Sequence, residues 1–64
     1  LTAVRYFIDD AILMGVPRVR ILHGKGNGIL HQLIRQYLSA EPSITHFKDE
    51  DVRFGGAGIT VVDL

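Results

Sequence analysis

The chain has 64 residues, of which 47% are hydrophobic, so it is a folded chain with room for one small domain. It has no cysteine, which excludes disulfides, thiol nucleophiles and cysteine-ligated metals. Seven Lys and Arg residues balance seven Asp and Glu residues, so the overall basic excess typical of nucleic-acid binders is absent, although a local basic face is not excluded. Without an apolar run of membrane-spanning length or a leader peptide, we expect a cytoplasmic protein with no membrane contact.

The first predicted element is an amphipathic helix from Leu1 to Met14, because apolar residues recur every three or four positions. Gly15 and Pro17 end this helix, since neither residue favours its continuation. Basic and apolar residues then alternate from Arg18 to His23, which predicts a strand with one apolar and one basic face.

The second half of the chain predicts one more helix and two more strands. The helix follows a glycine-rich loop, has Asn27 as its expected N-cap and ends near Ser39. Residues Ser43–Lys48 favour a strand, and Ile59–Asp63 give the strongest strand signal of the chain. The predicted order is therefore α-β-α-β-β, which indicates a two-layer α/β sandwich.

A helix at the start of such a chain lacks the strand from which it should connect. Three strands under two helices would also leave a thin sheet with an unprotected edge. We therefore interpret residues 1–64 as an N-terminally truncated domain. We expect its missing strand to precede Leu1 and to pair with Arg18–Leu22.

The loop His23-Gly-Lys-Gly-Asn-Gly28 joins the end of a strand to the start of a helix, where backbone N–H groups and the helix dipole favour an anion. Lys25 adds positive charge, and His23 exchanges a proton near neutral pH. The alternative is a tight turn with no ligand. We predict a phosphate site in which His23 is the general acid or base. The predicted binding residues of this loop are Gly24, Lys25, Gly26, Asn27 and Gly28.

Two nucleotide-binding motifs fit this loop poorly. A P-loop is excluded, because Lys25 follows the first glycine and no Ser or Thr comes after it. The dinucleotide fingerprint fails because Ile29 stands where its third glycine belongs. Asp49 lies about 20 residues further on, as a ribose-binding acid would, but the chain is too short for a dinucleotide crevice.

A second glycine cluster, Phe54-Gly-Gly-Ala-Gly58, immediately precedes the last predicted strand. If that strand runs antiparallel beside Arg18–Leu22, the two glycine loops meet at one edge of the sheet. The alternative is a flexible hairpin connection. The combined site would suit a sugar-phosphate backbone, with Phe54 available to stack on a base. The binding residues predicted from this segment are Arg53, Gly55, Gly56 and Gly58.

Other polar residues give weaker signals. His31 and His46 are expected to be surface or half-buried histidines rather than ligands. Two groups of adjacent carboxylates have the oxygen atoms that Mg²⁺ prefers as ligands: the pair Asp9-Asp10 and the triplet Asp49-Glu50-Asp51. Because adjacent carboxylates are usually solvated, we assign no metal ligand.

The motifs resemble the Smr (small MutS-related) domain, in the version found at the C-terminus of bacterial MutS-like proteins other than the mismatch-repair MutS. The resemblance covers the whole chain and is carried by His23-Gly-Lys-Gly26, by Gly55-Gly-Ala-Gly58 and by the terminal Ile59-Thr-Val-Val-Asp-Leu64. It implies a βαβαββ fold with mixed sheet order 1-2-4-3. This chain would hold the last five elements and lack the first strand with its Leu-Asp-x-His motif.

The resemblance also implies function. Smr domains bind nucleic acid, and many are endonucleases that cut DNA or RNA by hydrolysis or transesterification. Their MutS-like parents are expected to be homodimers with a separate ATP-binding domain, acting on branched DNA in recombination control or on stalled ribosomes. A non-catalytic module that positions the parent on DNA, RNA or the ribosome is the alternative, and a protein-only adaptor is a third option. No cofactor is expected within the domain, although a requirement for Mg²⁺ is not excluded.

Overall fold

The computed structural model describes residues 1–26 and 28–64, and these form two helices and three strands in the predicted α-β-α-β-β order. Two short 3₁₀ turns, Val52–Phe54 and Gly56–Gly58, fill the loop before the last strand. The helices and strands are α1 (Thr2–Leu13), β1 (Arg18–Leu22), α2 (Ile29–Ala40), β2 (His46–Asp49) and β3 (Ile59–Asp63).

Two predicted boundaries need correction. The N-cap of α2 is Gly28, which has a left-handed φ of +83°, whereas the predicted cap, Asn27, lies outside the described residues. The second strand begins at His46 rather than Ser43. The preceding residues form a turn in which the Ile44 amide donates to the Glu41 carbonyl, so the chain only joins the sheet afterwards.

The strongest predicted strand, β3, lies at the centre of the sheet. The strand order is β1-β3-β2, and β3 is antiparallel to both neighbours. This order corresponds to the last three strands of the expected 1-2-4-3 arrangement. Because β1 and β2 both oppose β3, they run parallel to each other, and α2 makes the crossover between them. The result is the two-layer α+β fold that the sequence predicts.

The core lies between the helices and one face of the sheet. Only part of each predicted apolar stripe is buried, since Leu1, Phe7 and Met14 of the first stripe are exposed. A three-stranded sheet is narrow, so it covers only part of each helix. The buried core cluster consists of Ile8, Ile21, Ile34, Leu38 and Val62.

The other face of the sheet is covered by charged side chains. Val61 is only 3% exposed there and has Arg20 and Lys48 as its direct cross-strand neighbours. Long Lys and Arg stems shield apolar surface while their charged ends stay in water, which accounts for the burial of Val61. Arg20 pairs with Glu50 at 2.5 Å, and Arg18 pairs with Asp63 at 2.6 Å.

These two ion pairs predict a loss of stability in acid. Hydrogen bonds from Arg18 and Arg20 hold the pKa values of Asp63 and Glu50 below their usual range. A carboxylate whose pKa is lowered on folding stabilises the fold above its unfolded pKa, about 4, and that contribution is lost as the pH falls through the lower folded value. We expect the urea concentration at the midpoint of unfolding to decrease as the pH is lowered below about 4.

The Arg18→Met variant should make this acid dependence shallower, because it removes the partner of Asp63. Arg5→Met is the matched control, since Arg5 belongs to none of the ion pairs found among the described residues. The acid dependence, and the difference that Arg18→Met makes to it, should both be smaller in high salt, because the ion pairs are exposed. Identical acid dependence in the two variants would contradict this explanation.

Candidate nucleic-acid interface

The two glycine loops meet at the end of the sheet where β1 finishes and β3 begins. The Gly58 carbonyl accepts hydrogen bonds from the His23 and Gly24 amides, at 3.1 and 3.0 Å. A Cβ atom on Gly58 would lie 3.5 Å from Cγ of Lys25 and 3.6 Å from the Gly24 carbonyl carbon. The antiparallel register of β1 and β3 therefore produces the convergence that the sequence predicts.

The first glycine loop needs glycine for its shape. Gly24, Gly26 and Gly28 have φ angles of +76°, +42° and +83°, a region that residues with a Cβ rarely adopt. The Gly28 amide donates to the Lys25 carbonyl, and the Gly24 amide is held by Gly58. Among the described residues of the loop, the amides of Lys25 and Gly26 are the ones left to meet an anion.

The ring of His23 is fixed at both of its nitrogens. Nδ1 lies 2.8 Å from the Gly24 carbonyl, and Nε2 lies 2.8 Å from Oγ1 of Thr60. Since a carbonyl oxygen only accepts, Nδ1 carries a hydrogen, and Nε2 of the neutral ring accepts from the Thr60 hydroxyl. Thr60 is fully buried at the centre of the sheet, so it is a rigid support for the ring.

A second histidine stands beside the first. The ring of His31, in the first turns of α2, is 5.1 Å from the His23 ring between centroids and tilted by 53°. Its Nε2 lies 2.8 Å from Oδ1 of Asp49, and Arg35 donates to the same oxygen at 3.2 Å. The Arg35 guanidinium also lies over the Phe47 ring, 5.1 Å from its centroid. Asp49 is therefore held from α2 by two side chains.

Arg53 is bound within its own turn. Two of its guanidinium nitrogens lie 3.0 and 3.1 Å from the two carboxylate oxygens of Asp51, and its guanidinium lies over the exposed Phe54 ring. The Asp51 carboxylate also accepts from the Arg53 amide, which starts the 3₁₀ turn. Arg53 thus comes to this end of the fold already paired with a carboxylate, and Gly55 and Gly56 follow it in the second loop.

The acidic triplet Asp49-Glu50-Asp51 does not form one cluster. Asp49 contacts His31 and Arg35, Glu50 contacts Arg20, and Asp51 contacts Arg53. Within residues 1–26 and 28–64, no group of three or more histidine or acidic side chains is arranged to hold a metal ion. The same residues include no helix that is long and apolar enough to cross a membrane.

Sequence reasoning missed the partners of the two histidines. Thr60 lies within a strong strand signal, and the sequence predicts His31 as a surface or half-buried histidine rather than a ligand. The available signal was helical spacing, since His31 and Arg35 are one turn apart on α2 and therefore share a face. The strand that follows α2 brings Asp49 to that face.

The fold and its paired glycine loops define a small α+β domain of the kind that the motifs suggest. A profile of the Smr domain matches residues 1–64. Endonuclease MutS2 of Geobacillus thermodenitrificans is 44% identical over 64 residues, which are all of this chain and 8% of that protein. Endonuclease MutS2 of Helicobacter pylori is 40% identical over 58 residues, or 91% of this chain and 8% of that protein.

A solved structure agrees with these sequence matches. The crystal structure of the Smr domain of Thermus thermophilus MutS2 superposes with a TM-score of 0.96 at 38% identity, covering 98% of this chain and 79% of that one. The chain belongs to the Smr domain family. It spans 8% of the length of the two MutS2 relatives named above.

Proposed function

We infer that this chain is a nucleic-acid-binding endonuclease domain whose phosphate site is the joined pair of glycine loops. The observation that carries the proposal is the pair of hydrogen bonds from His23 and Gly24 to the Gly58 carbonyl. They bring a histidine, the Lys25 cation and loop amides to one end of the sheet. Backbone amides and a lysine suit a phosphate oxygen, and an imidazole suits proton transfer at neutral pH.

In this proposal Lys25 and the amides of Lys25 and Gly26 hold a backbone phosphate. His23 transfers a proton to or from a phosphodiester oxygen, and that oxygen replaces the Thr60 hydroxyl at Nε2. Gly55, Gly56 and Gly58 allow the second loop to approach the same strand, and Arg53 adds a contact when a phosphate competes with Asp51. The names of the MutS2 relatives, which call them endonucleases, support the nuclease reading.

We further propose that the domain serves a longer MutS-like protein in the cytoplasm, one that dimerises and binds ATP through other domains. Branched DNA and stalled ribosomes are the proposed targets. A non-catalytic binding module is the second candidate. It is favoured by the two hydrogen bonds of the His23 ring, because both nitrogens are engaged before any substrate arrives.

Binding and cutting separate these two candidates. We expect the full-length protein to bind a labelled single-stranded RNA and a branched DNA at low salt, with affinity falling steeply between about 50 and about 200 mM salt. Cleavage of either substrate supports the nuclease, whereas binding without cleavage supports the module. A protein that binds neither substrate at low salt would contradict both.

The Lys25→Ala variant tests the phosphate site itself. Loss of one phosphate contact should weaken binding to every sequence and reduce the slope of log K against log salt by about one. Lys48→Ala is the matched control, because Lys48 lies within β2, on the face of the sheet away from the helices, and outside both glycine loops. Equal salt slopes for Lys25→Ala and the unaltered protein would contradict the assignment of Lys25.

A further inference from the structure

We propose that His31, oriented by Asp49, is a second proton-transfer residue of the phosphodiester site and works opposite His23. This inference rests on the proposed nuclease function and adds a residue that the loop motifs do not contain. The inference is based on three side chains that contact one another in a row and come from different parts of the fold. His23 follows β1, His31 lies on α2 and Asp49 ends β2.

The hydrogen bond to Asp49 determines which nitrogen of His31 is available. A carboxylate accepts hydrogen bonds, so Nε2 of His31 donates and carries the hydrogen. In the neutral ring the lone pair is therefore on Nδ1. A carboxylate that holds one imidazole nitrogen while the other takes up a proton is an arrangement that orients the ring and stabilises the imidazolium as it forms.

Arg35 makes this arrangement rigid. It donates to the Asp49 oxygen that also receives His31, and its stacking on Phe47 limits its own movement. The His31 side chain is 23% exposed, so it is packed but open to a ligand. The charged or titratable groups that face it are His23 after β1, Asp49 on β2 and Arg35 on α2.

Two imidazoles whose centres are 5.1 Å apart are close enough to act on one phosphate group. Neutral His31 takes the proton from the attacking hydroxyl, which belongs to water or to a neighbouring ribose, while the oxygen's electron pair forms the new P–O bond. Protonated His23 gives its proton to the leaving oxygen, which keeps the electron pair of the broken P–O bond. The acid and base roles differ because only His31 has a carboxylate partner to stabilise the proton it gains.

The test is single-turnover cleavage of a labelled single-stranded RNA and a branched DNA by the full-length protein, measured across pH. We expect His31→Gln to lower the cleavage rate about 10²-fold and to leave Kd nearly unchanged, since the glutamine amide nitrogen takes the place of Nε2 and keeps a hydrogen bond to Asp49 but accepts no proton. The rate of the unaltered protein should follow a bell-shaped pH profile, and the variant should lose the limb at low pH that reports its base. Asp49→Asn should produce a smaller loss of rate.

His46→Gln is the matched control, because His46 lies on the face of the sheet away from the helices, so cleavage by this variant should equal that of the unaltered protein. Normal cleavage by His31→Gln, or a loss confined to Kd, would overturn the role of His31 and leave the nuclease proposal standing. A full-length protein that binds both substrates and cuts neither would overturn both proposals together. The two failures are thus distinguishable.

Discussion

Replacing His23 with alanine is expected to lower the rate of phosphodiester cleavage by about 10² to 10⁴, the range for loss of a proton-transfer residue. Binding should change little, because the contacts assigned to phosphate come from Lys25 and the loop amides. Single-turnover cleavage and equilibrium binding of the same labelled oligonucleotide, measured on the full-length protein, separate the two effects.

A second variant tests the hydrogen bond between His23 and Thr60. Thr60→Val keeps the shape of the buried side chain and removes the hydroxyl that holds Nε2. We expect a smaller loss of rate than for His23→Ala. The ring is less firmly positioned before the substrate binds, but it keeps its bond to the Gly24 carbonyl, and its Nε2 is open to the phosphodiester oxygen. His46→Ala should cut normally. Unchanged cleavage after His23→Ala would exclude His23 from the chemistry and favour the non-catalytic module.

The second large effect is expected from the core. Leu38 is 2% exposed in the cluster beneath α2, so Leu38→Ala should lower the free energy of unfolding by about 2 to 5 kcal/mol. A domain of 64 residues has little stability to spare, and we expect a fall in Tm of at least about 10 °C. Thermal unfolding followed by circular dichroism measures this shift.

Leu33→Ala is the control on the same helix and removes the same group. Leu33 is 42% exposed, so its loss leaves a much smaller cavity and should cost far less stability. Comparable losses for the two variants would mean that a partner covers Leu33, or that the core does not lie where the structure has it. A Leu38→Ala variant as stable as the unaltered chain would contradict the assigned core directly.

The order of elements could be predicted from the sequence because each one has a local signal. The first four residues of Ile59–Asp63 are all β-branched, which is typical of a strand buried at the centre of a sheet, and this strand is the central one. Gly15 and Pro17 marked the end of α1 within one residue. The second strand was predicted three residues too early, because Ile44 has strand propensity but lies in a turn.

The candidate site was also only partly predictable from the sequence. The sequence indicated both glycine loops and their convergence, since that needed only an antiparallel pairing of the first and last strands. It did not indicate the partners of the histidines. His23 and Thr60 are 37 residues apart in the chain, and His31 and Asp49 are 18 apart, so no local pattern joins them.

By itself, the sequence determined the helices, the strands and the glycine loop with its histidine and lysine, because backbone propensity and hydrophobic periodicity are local properties. Only the tertiary structure decided which side chains complete the site. The register of β3 sets Thr60 beside His23, and the crossover of α2 sets His31 above Asp49. Such contacts depend on how separate elements pack, and packing follows from the whole core rather than from any one segment.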